Sequence, residues 1–283
     1  MNIIPFTKVQ AIGNDFVLIN ALDMPELDWP SLAVRMCAQR SGVGADGLLV
    51  LLPSQRADFR MRMFNADGSE DSCGNGLRCM AVYIQAAGLS TSRELVIEAR
   101  DGLRDVEMIR AADGSAGAKV NMGRPSVRPA DIPANLDVDE VIHYPLDAGG
   151  EVYSITAVLV GSPHAVICAS LESFWTTIPA ASAVIETHPA FPERINVTWC
   201  SRESPESLRI RTWERGVGPT LGCGTGACAA LVAANLCGLV GAYARVTSPG
   251  GTLEIEWPDR GDVFMSGPAN TVYKGEWSGG VEE

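Results

Sequence analysis

The chain has 283 residues, of which 46% are hydrophobic and 20% charged, and it carries a net charge of −12. That length suits two domains better than one, and each half has enough apolar content to bury a core. The negative field repels phosphate backbones and anionic lipid, which argues against nucleic-acid and membrane-surface partners.

The first ten residues lack the basic start and apolar run of a signal peptide, so a cytoplasmic protein is expected. Ser31 can cap a helix running to about Arg40. Residues 59–84 read FRMRMFNADGSEDSCGNGLRCMAVYI: an alternating apolar strand, a Gly-containing loop, C-G-x-G, then an apolar helix. Leu77, Met80, Ala81 and Ile84 form the i, i+3, i+4, i+7 stripe of that helix. Residues 95–99 and 152–160 alternate like strands, and the Pro-, Asp- and Asn-rich segment 125–145 reads as irregular connection. Residues 208–234, LRIRTWERGVGPTLGCGTGACAALVAA, repeat the order strand, loop, C-G-x-G, helix, with a stripe of Ala229, Val232, Ala233 and Leu236. GNDFVLIN at 13–20 and GSPHAVIC at 161–168 are a weaker echo. The longest apolar stretch, 228–244, is interrupted by Asn235 and is short of the ~20 residues a membrane span needs. A buried helix ending in a turn at Gly238 and Gly241 fits it better. Residues 253–257 are again strand-like. The chain reads as α+β, an antiparallel sheet around a helix, built twice. A chance match of two Gly-rich loops is the alternative.

Eight cysteines and three histidines are present. Cys73 to Cys79 and Cys223 to Cys228 do not give zinc spacing. Cys37, Cys168, Cys200 and Cys237 are expected in the core, as are Cys79 and Cys228 within the helices. Cys73 and Cys223 differ, because each stands before a Gly at a helix start. The unpaired N–H groups and helix dipole there attract anions and favour thiolate. Gly74, Gly76, Gly224 and Gly226 allow close approach of a ligand. Two such loops can grip one α-carboxylate with a sulfur on each face of the α-carbon. Inversion needs that arrangement, since one face must lose a proton and the other gain one. The N–H donors would stabilise the developing negative charge. Buried structural thiols are the competing reading. Gly222, Gly224 and Gly226 make only a weak dinucleotide match, and the missing GK[ST] excludes a P-loop. No lysine motif for pyridoxal phosphate is evident, so neither cofactor nor metal is expected.

The sequence resembles the diaminopimelate epimerase family over nearly its whole length. The resemblance is carried by GNDFV (13–17), GVGADG (42–47), FNADGSE (64–70), CGNGLRC (73–79), VNMGRP (120–125) and PHAV (163–166). It continues in FPERIN (191–196), ERGVG (214–218), CGTGACA (223–229) and PGGTLEIEW (249–257). It implies two pseudo-symmetric domains, each an antiparallel β-barrel-like sheet around a central helix, with the C-terminal strand returning to the first. The expected domains are 1–118 plus 268–283, and 119–267. It implies a cofactor-independent isomerase that interconverts LL- and meso-diaminopimelate, with Cys73 and Cys223 as acid and base. Gly74, Asn75, Gly224 and Thr225 would cradle the α-carboxylate, and Asn14 would bind near the reacting centre. Asn65, Asn196 and Arg215 would hold the distal end, with Glu214 adjoining. Gly47 and Ser162 would also line the site. His164 and Glu214 would tune the cysteines. The expected partner is the small-molecule substrate, and a homodimer is left open.

Three departures touch substrate fit. Gly47 stands where many members have Gln, Ser162 where many have Asn, and the loop from Asn65 to Cys73 looks one residue short. A same-fold racemase of another amino acid, such as histidine, is an alternative that Arg215 disfavours, since its guanidinium suits a distal carboxylate. A phenazine-biosynthesis-type isomerase would not need both cysteines, and a non-catalytic amino-acid-binding protein would need neither.

Overall fold

The computed structural model describes residues 3–110 and 114–279. By internal contacts the chain divides into two units, Met1–Val120 with Ser266–Glu283, and Asn121–Met265. The first opens on a hairpin of β1 (Ile4–Ala11) and β2 (Asn14–Asn20), turned at Ile12 and Gly13, both at positive φ. Helix α1 (Trp29–Cys37) leads to β3 (Gly47–Leu52), β4 (Phe59–Asn65) and the short β5 (Glu70–Asp71). Helix α2 (Gly74–Ala86) is followed by β6 (Glu94–Ala99), β7 (Gly102–Arg110) and β8 (Ala116–Gly123).

In the second unit β9 (Tyr144–Asp147) and β10 (Val152–Val160) precede β11 (Ser162–Cys168) and the short α3 (Ala181–Glu186). Then come β12 (Asn196–Ser204), β13 (Ser207–Glu214), β14 (Gly218–Thr220) and α4 (Gly224–Leu236). The chain ends on β15 (Tyr243–Ser248), β16 (Gly251–Glu256), β17 (Val263–Pro268) and β18 (Asn270–Trp277); β18 belongs to the first unit and pairs there with β1.

The fold is α+β as expected, with sheet around a central helix in each unit. α2 packs on β1–β4, β7 and β18, and α4 on β10–β13, β15 and β16. Most pairs are antiparallel, but each unit also contains two parallel ones: β2–β3 and β4–β6 in the first, β11–β12 and β13–β15 in the second. Parallel neighbours cannot be joined by a hairpin, and here α1, α2, α3 and α4 lie in the four crossovers. The two units thus repeat one topology, β1–β7 matching β10–β16 strand for strand.

Local chemistry sets the helix starts. α1 begins earlier than the sequence suggests, at Trp29. Asp28 rather than Ser31 is its cap, accepting from the Ser31 backbone N–H at 3.2 Å and its hydroxyl at 2.6 Å. Pro30 fits this early helical position, where no N–H is needed. The stripe of α2 is buried as read: Leu77, Met80, Ala81 and Ile84 are all at most 3% exposed. In α4, Cys228 through Ala234 have no exposed surface on any side, which marks a helix enclosed by strands rather than an amphipathic one. Among the described residues no helix is long and apolar enough to cross a membrane.

Candidate functional site

The expected site residues fall into two groups, one at the start of each central helix. In the first unit Cys73 is the N-cap of α2, extended at φ −145°, and its Sγ accepts the backbone N–H of Gly76 at 3.3 Å. Gly76 packs tightly: a Cβ there would sit 2.8 Å from Leu49 Cδ2, and that side chain would have to shift. Gly74 and Asn75 form the buried first turn. Asn75 Nδ2 donates to Asn14 Oδ1 at 3.2 Å, Asn14 Nδ2 donates to Asp46 Oδ2 at 2.6 Å, and Arg78 Nη2 donates to Asn75 Oδ1 at 2.7 Å. Asn14, Asn75 and Arg78 are thereby one network behind Cys73. Gly47 opens β3 opposite Asn65. A Cβ on Gly47 would lie 2.7 Å from Phe64 O, so this position offers backbone only. Asn65 is half-buried and donates to Ser69 Oγ at 3.0 Å.

The second unit repeats the arrangement with different surroundings. Cys223 caps α4 at φ −119°, and its Sγ accepts from Gly226 N–H at 3.4 Å. Gly224 and Thr225 form the first turn, with Thr225 Oγ1 3.4 Å from the sulfur. Ser162 Oγ donates to Thr225 Oγ1 at 2.9 Å and lies 3.1 Å from Nε2 of His164. His164 is wholly enclosed, and burial, aided by the Arg215 charge, lowers its pKa to about 3. It is a neutral imidazole at ordinary pH. Asn196, the first residue of β12, is fully engaged: Nδ2 donates to Pro163 O at 2.8 Å and Ser162 Oγ at 3.3 Å, and Oδ1 accepts from Arg215 N–H at 2.9 Å. It ties β11 to the end of β13. Glu214 ends β13 half-buried, and Arg215 follows with Nη1 donating to Glu193 O at 3.0 Å.

In both loops an N–H at the third helical position points at sulfur. Hydrogen bonds to the anionic form favour it, and the helix start adds positive potential. The other described cysteines stand in different settings. Burial pushes the Cys37 thiol up to about 12 and raises Cys79 further. Cys168 is exposed, not in the core, because it ends β11. Its hydrogen bond with Cys200, its register partner, raises it to about 12. Cys237, half-buried at the end of α4, is raised by its hydrogen bond with Cys168 and by burial. These remain thiols at neutral pH. Among the described residues no group of three or more His, Cys, Asp or Glu is placed to hold a metal ion.

Polar residues around the two loops that the sequence does not single out include Asp46, Arg78, Thr198 and Thr212. Arg78 is wholly buried in α2, and Thr198 and Thr212 lie behind Gly226. For these last three the available signal was a charge or hydroxyl on an otherwise apolar helix or strand face.

Residues 6–128 and 156–272 match the family model for diaminopimelate epimerase. The chain is 46% identical to the diaminopimelate epimerase of Desulforudis audaxviator over 276 residues, covering 96% of this chain and 98% of the relative. It is 44% identical to that of Pelotomaculum thermopropionicum, with the same coverage. Among solved structures it is similar to a phenazine biosynthesis protein of the PhzF family from Bacillus anthracis. The TM-score is 0.72 at 18% identity, covering 98% of this chain and 99% of that one. It is also similar to a probable proline racemase from Agrobacterium radiobacter, with a TM-score of 0.70 at 15% identity, covering 98% and 93%. At such identity these two likenesses concern the fold.

Proposed function

The chain belongs to the diaminopimelate epimerase family, and from that premise we propose that Cys73 and Cys223 are its two proton-transfer groups. The protein is an isomerase that interconverts LL- and meso-diaminopimelate. The observation that carries the two-thiol reading is the duplicated loop, in which a cysteine both caps a helix and accepts an N–H from its third position.

The thiolate of one cysteine removes the α-proton, and the bond's electron pair passes into the α-carboxylate. The thiol of the other then delivers its proton to the opposite face of the α-carbon. Thiol and thiolate have exchanged places, so the next turnover in the reverse direction needs no resetting. The first turns of α2 and α4, at Gly74 with Asn75 and Gly224 with Thr225, supply backbone N–H groups for the carboxylate as its charge grows. Asn14, held by Asp46 and Asn75, orients the reacting centre. Arg215, fixed through Glu193 and Asn196, pairs with the distal carboxylate. Asn196 acts through this anchoring of Arg215, and Asn65 and Glu214 close the distal end. The two units serve as the two epimerase domains. Eight free cysteines suit a reducing cytoplasm, and the exposed Val272 and Tyr273 of β18 suit a homodimer.

The test is turnover of LL-diaminopimelate in deuterated water without added cofactor, followed by chiral chromatography and rapid NMR. First-formed product should carry deuterium at the inverted centre while recovered substrate carries little. Cys73→Ser and Cys223→Ser should each abolish inversion, because a hydroxyl gives little anion at neutral pH. Equal early labelling of substrate and product in the wild type would refute the two-base assignment.

A further inference from the structure

In the second unit a line of hydrogen-bonding groups runs from the interior to Cys223. Thr212 Oγ1 lies 3.3 Å from Thr198 Oγ1, which lies 3.0 Å from Nδ1 of His164. On the far side of the ring, Nε2 lies 2.9 Å from Thr225 Oγ1, and Thr225 Oγ1 lies 3.4 Å from Cys223 Sγ. His164 and Thr198 are wholly buried and Thr212 is 3% exposed, so every hydroxyl proton here needs a protein acceptor.

That requirement fixes the direction of the line. Among the described residues the hydrogen-bond partner of the Thr212 hydroxyl is Thr198 Oγ1 alone, so the Thr212 proton points there. The Thr198 proton is then left for Nδ1 of His164, which must be the bare nitrogen of the neutral ring. The ring proton sits on Nε2 and is donated to Thr225 Oγ1 or Ser162 Oγ. Ser162 itself donates to Thr225. Thr225 Oγ1 is therefore supplied with donors and has its own proton to give to the sulfur.

We propose that Thr198 is a positioning residue: by donating to Nδ1 of His164 it keeps the ring proton on Nε2 and turns the Thr225 hydroxyl towards Cys223 as a donor. The inference rests on the reading of Cys223 as a proton-transfer group. Its effect is to favour the thiolate of Cys223, since a donated hydrogen bond stabilises the anion more than the thiol.

The first unit shows that the fold does not require these hydroxyls. His164 pairs with Asn196 as Phe16 pairs with Gly47, so Phe16 occupies the matching position. Two residues further along each strand, Thr198 matches Leu49. Two before the end of the following strand, Thr212 matches Met63. The glycines agree: a Cβ on Gly76 would meet Leu49 at 2.8 Å, and one on Gly226 would meet Thr212 at 2.8 Å and Thr198 at 3.2 Å. One topology thus holds three apolar side chains in one unit and a polarised line in the other. The charged groups nearby are Arg215, which acts on the ring, and Glu214 beside it on the strand end.

The experiment uses the whole protein labelled with ¹⁵N-histidine. It has three histidines, and the signals of His143 and His188 are assigned with His143→Gln and His188→Gln. Long-range ¹H–¹⁵N spectra should show His164 protonated at Nε2. In Thr198→Val the Nδ1-protonated form should appear, and the pH midpoint for iodoacetamide alkylation of Cys223, read by mass spectrometry, should rise by about one pH unit. The same change corresponds to about a tenfold fall in kcat/KM with KM little altered. Thr198→Ser, which keeps the hydroxyl, should restore all three readouts. Should Thr198→Val fail to fold, Thr198→Ala removes the same hydroxyl with a smaller side chain and should give the same ring and alkylation readouts. A wild-type ring protonated at Nδ1, or a Cys223 midpoint unmoved by Thr198→Val, would overturn the proposal. A protein with the Nε2 form and the shifted midpoint that does not epimerise diaminopimelate would support the relay while refuting the functional reading.

Discussion

Enclosing a neutral imidazole sets a pH dependence of stability that one substitution can isolate. His164 has no exposed surface, and its pKa in the folded chain is about 3, against an ordinary value of 6.5. Between those values the unfolded chain binds the proton and the folded one does not, so stability falls as pH drops below 6.5. The slope for one such group is about 1.4 kcal/mol per pH unit. At pH 7.5 His164 contributes almost nothing to this effect. At pH 5 it destabilises the fold by about 2 kcal/mol, and the loss saturates near 5 kcal/mol below pH 3. His164→Phe places here the residue that the first unit uses at the matching position, and it removes the titration. Its hydroxyl neighbours lose a partner, which adds a cost independent of pH. Urea unfolding of both proteins from pH 8 to pH 5, followed by tryptophan fluorescence, should give stability curves that converge towards acid by about 2 kcal/mol. Curves that stay parallel would mean that His164 protonates normally in the folded chain and that water reaches the ring.

Other expectations concern single side chains. Arg215→Met removes a charge-assisted contact worth about 1.5–3 kcal/mol, so KM for diaminopimelate should rise about ten- to a hundredfold with a smaller change in kcat, measured by steady-state kinetics. Gly226→Ala puts a methyl 2.8 Å from Thr212 Oγ1 and 3.2 Å from Thr198 Oγ1. The resulting overpacking, about 1–3 kcal/mol, should exceed the gain in helix propensity of about 1 kcal/mol and lower the melting temperature. Gly241→Ala meets nothing within 4 Å and should be neutral or stabilising by about 0.4–1 kcal/mol in the same melting assay. Leu231→Ala, in the fully enclosed stretch of α4, should cost about 2–5 kcal/mol by denaturant titration.

The pairing of a Cys-Gly loop with an apolar helix could be read from sequence because every part of it is local. The cap, the glycines and the helical stripe lie within about a dozen residues. The four parallel strand pairs could not, since which strand a crossover returns to depends on contacts between distant segments. In sequence Ser31 offers itself as a cap after Pro30, yet Trp29 and Pro30 already form the first turn behind Asp28, and only the hydrogen bonds show that the helix starts there. Cys168 was expected inside on composition, yet the end of its strand leaves it exposed. Thr198 and Thr212 are unremarkable strand threonines in sequence. Their part in the line to His164 appears only when β11, β12 and β13 are laid side by side.

The atom that caps each central helix is also the atom proposed to carry the proton. A thiolate is a strong acceptor for the third N–H of its helix, and a thiol a weak one. Each proton transfer therefore slackens the start of one helix and tightens the other. The two ends act as counterweights, and the sum of their capping energies is nearly the same before and after turnover. With the two caps in balance, the hydroxyl bond to Cys223 is what distinguishes the two protonation states of the protein. An isomerase whose substrate and product are close in free energy gains from such balance, because a large drop in either direction would become the barrier on the way back.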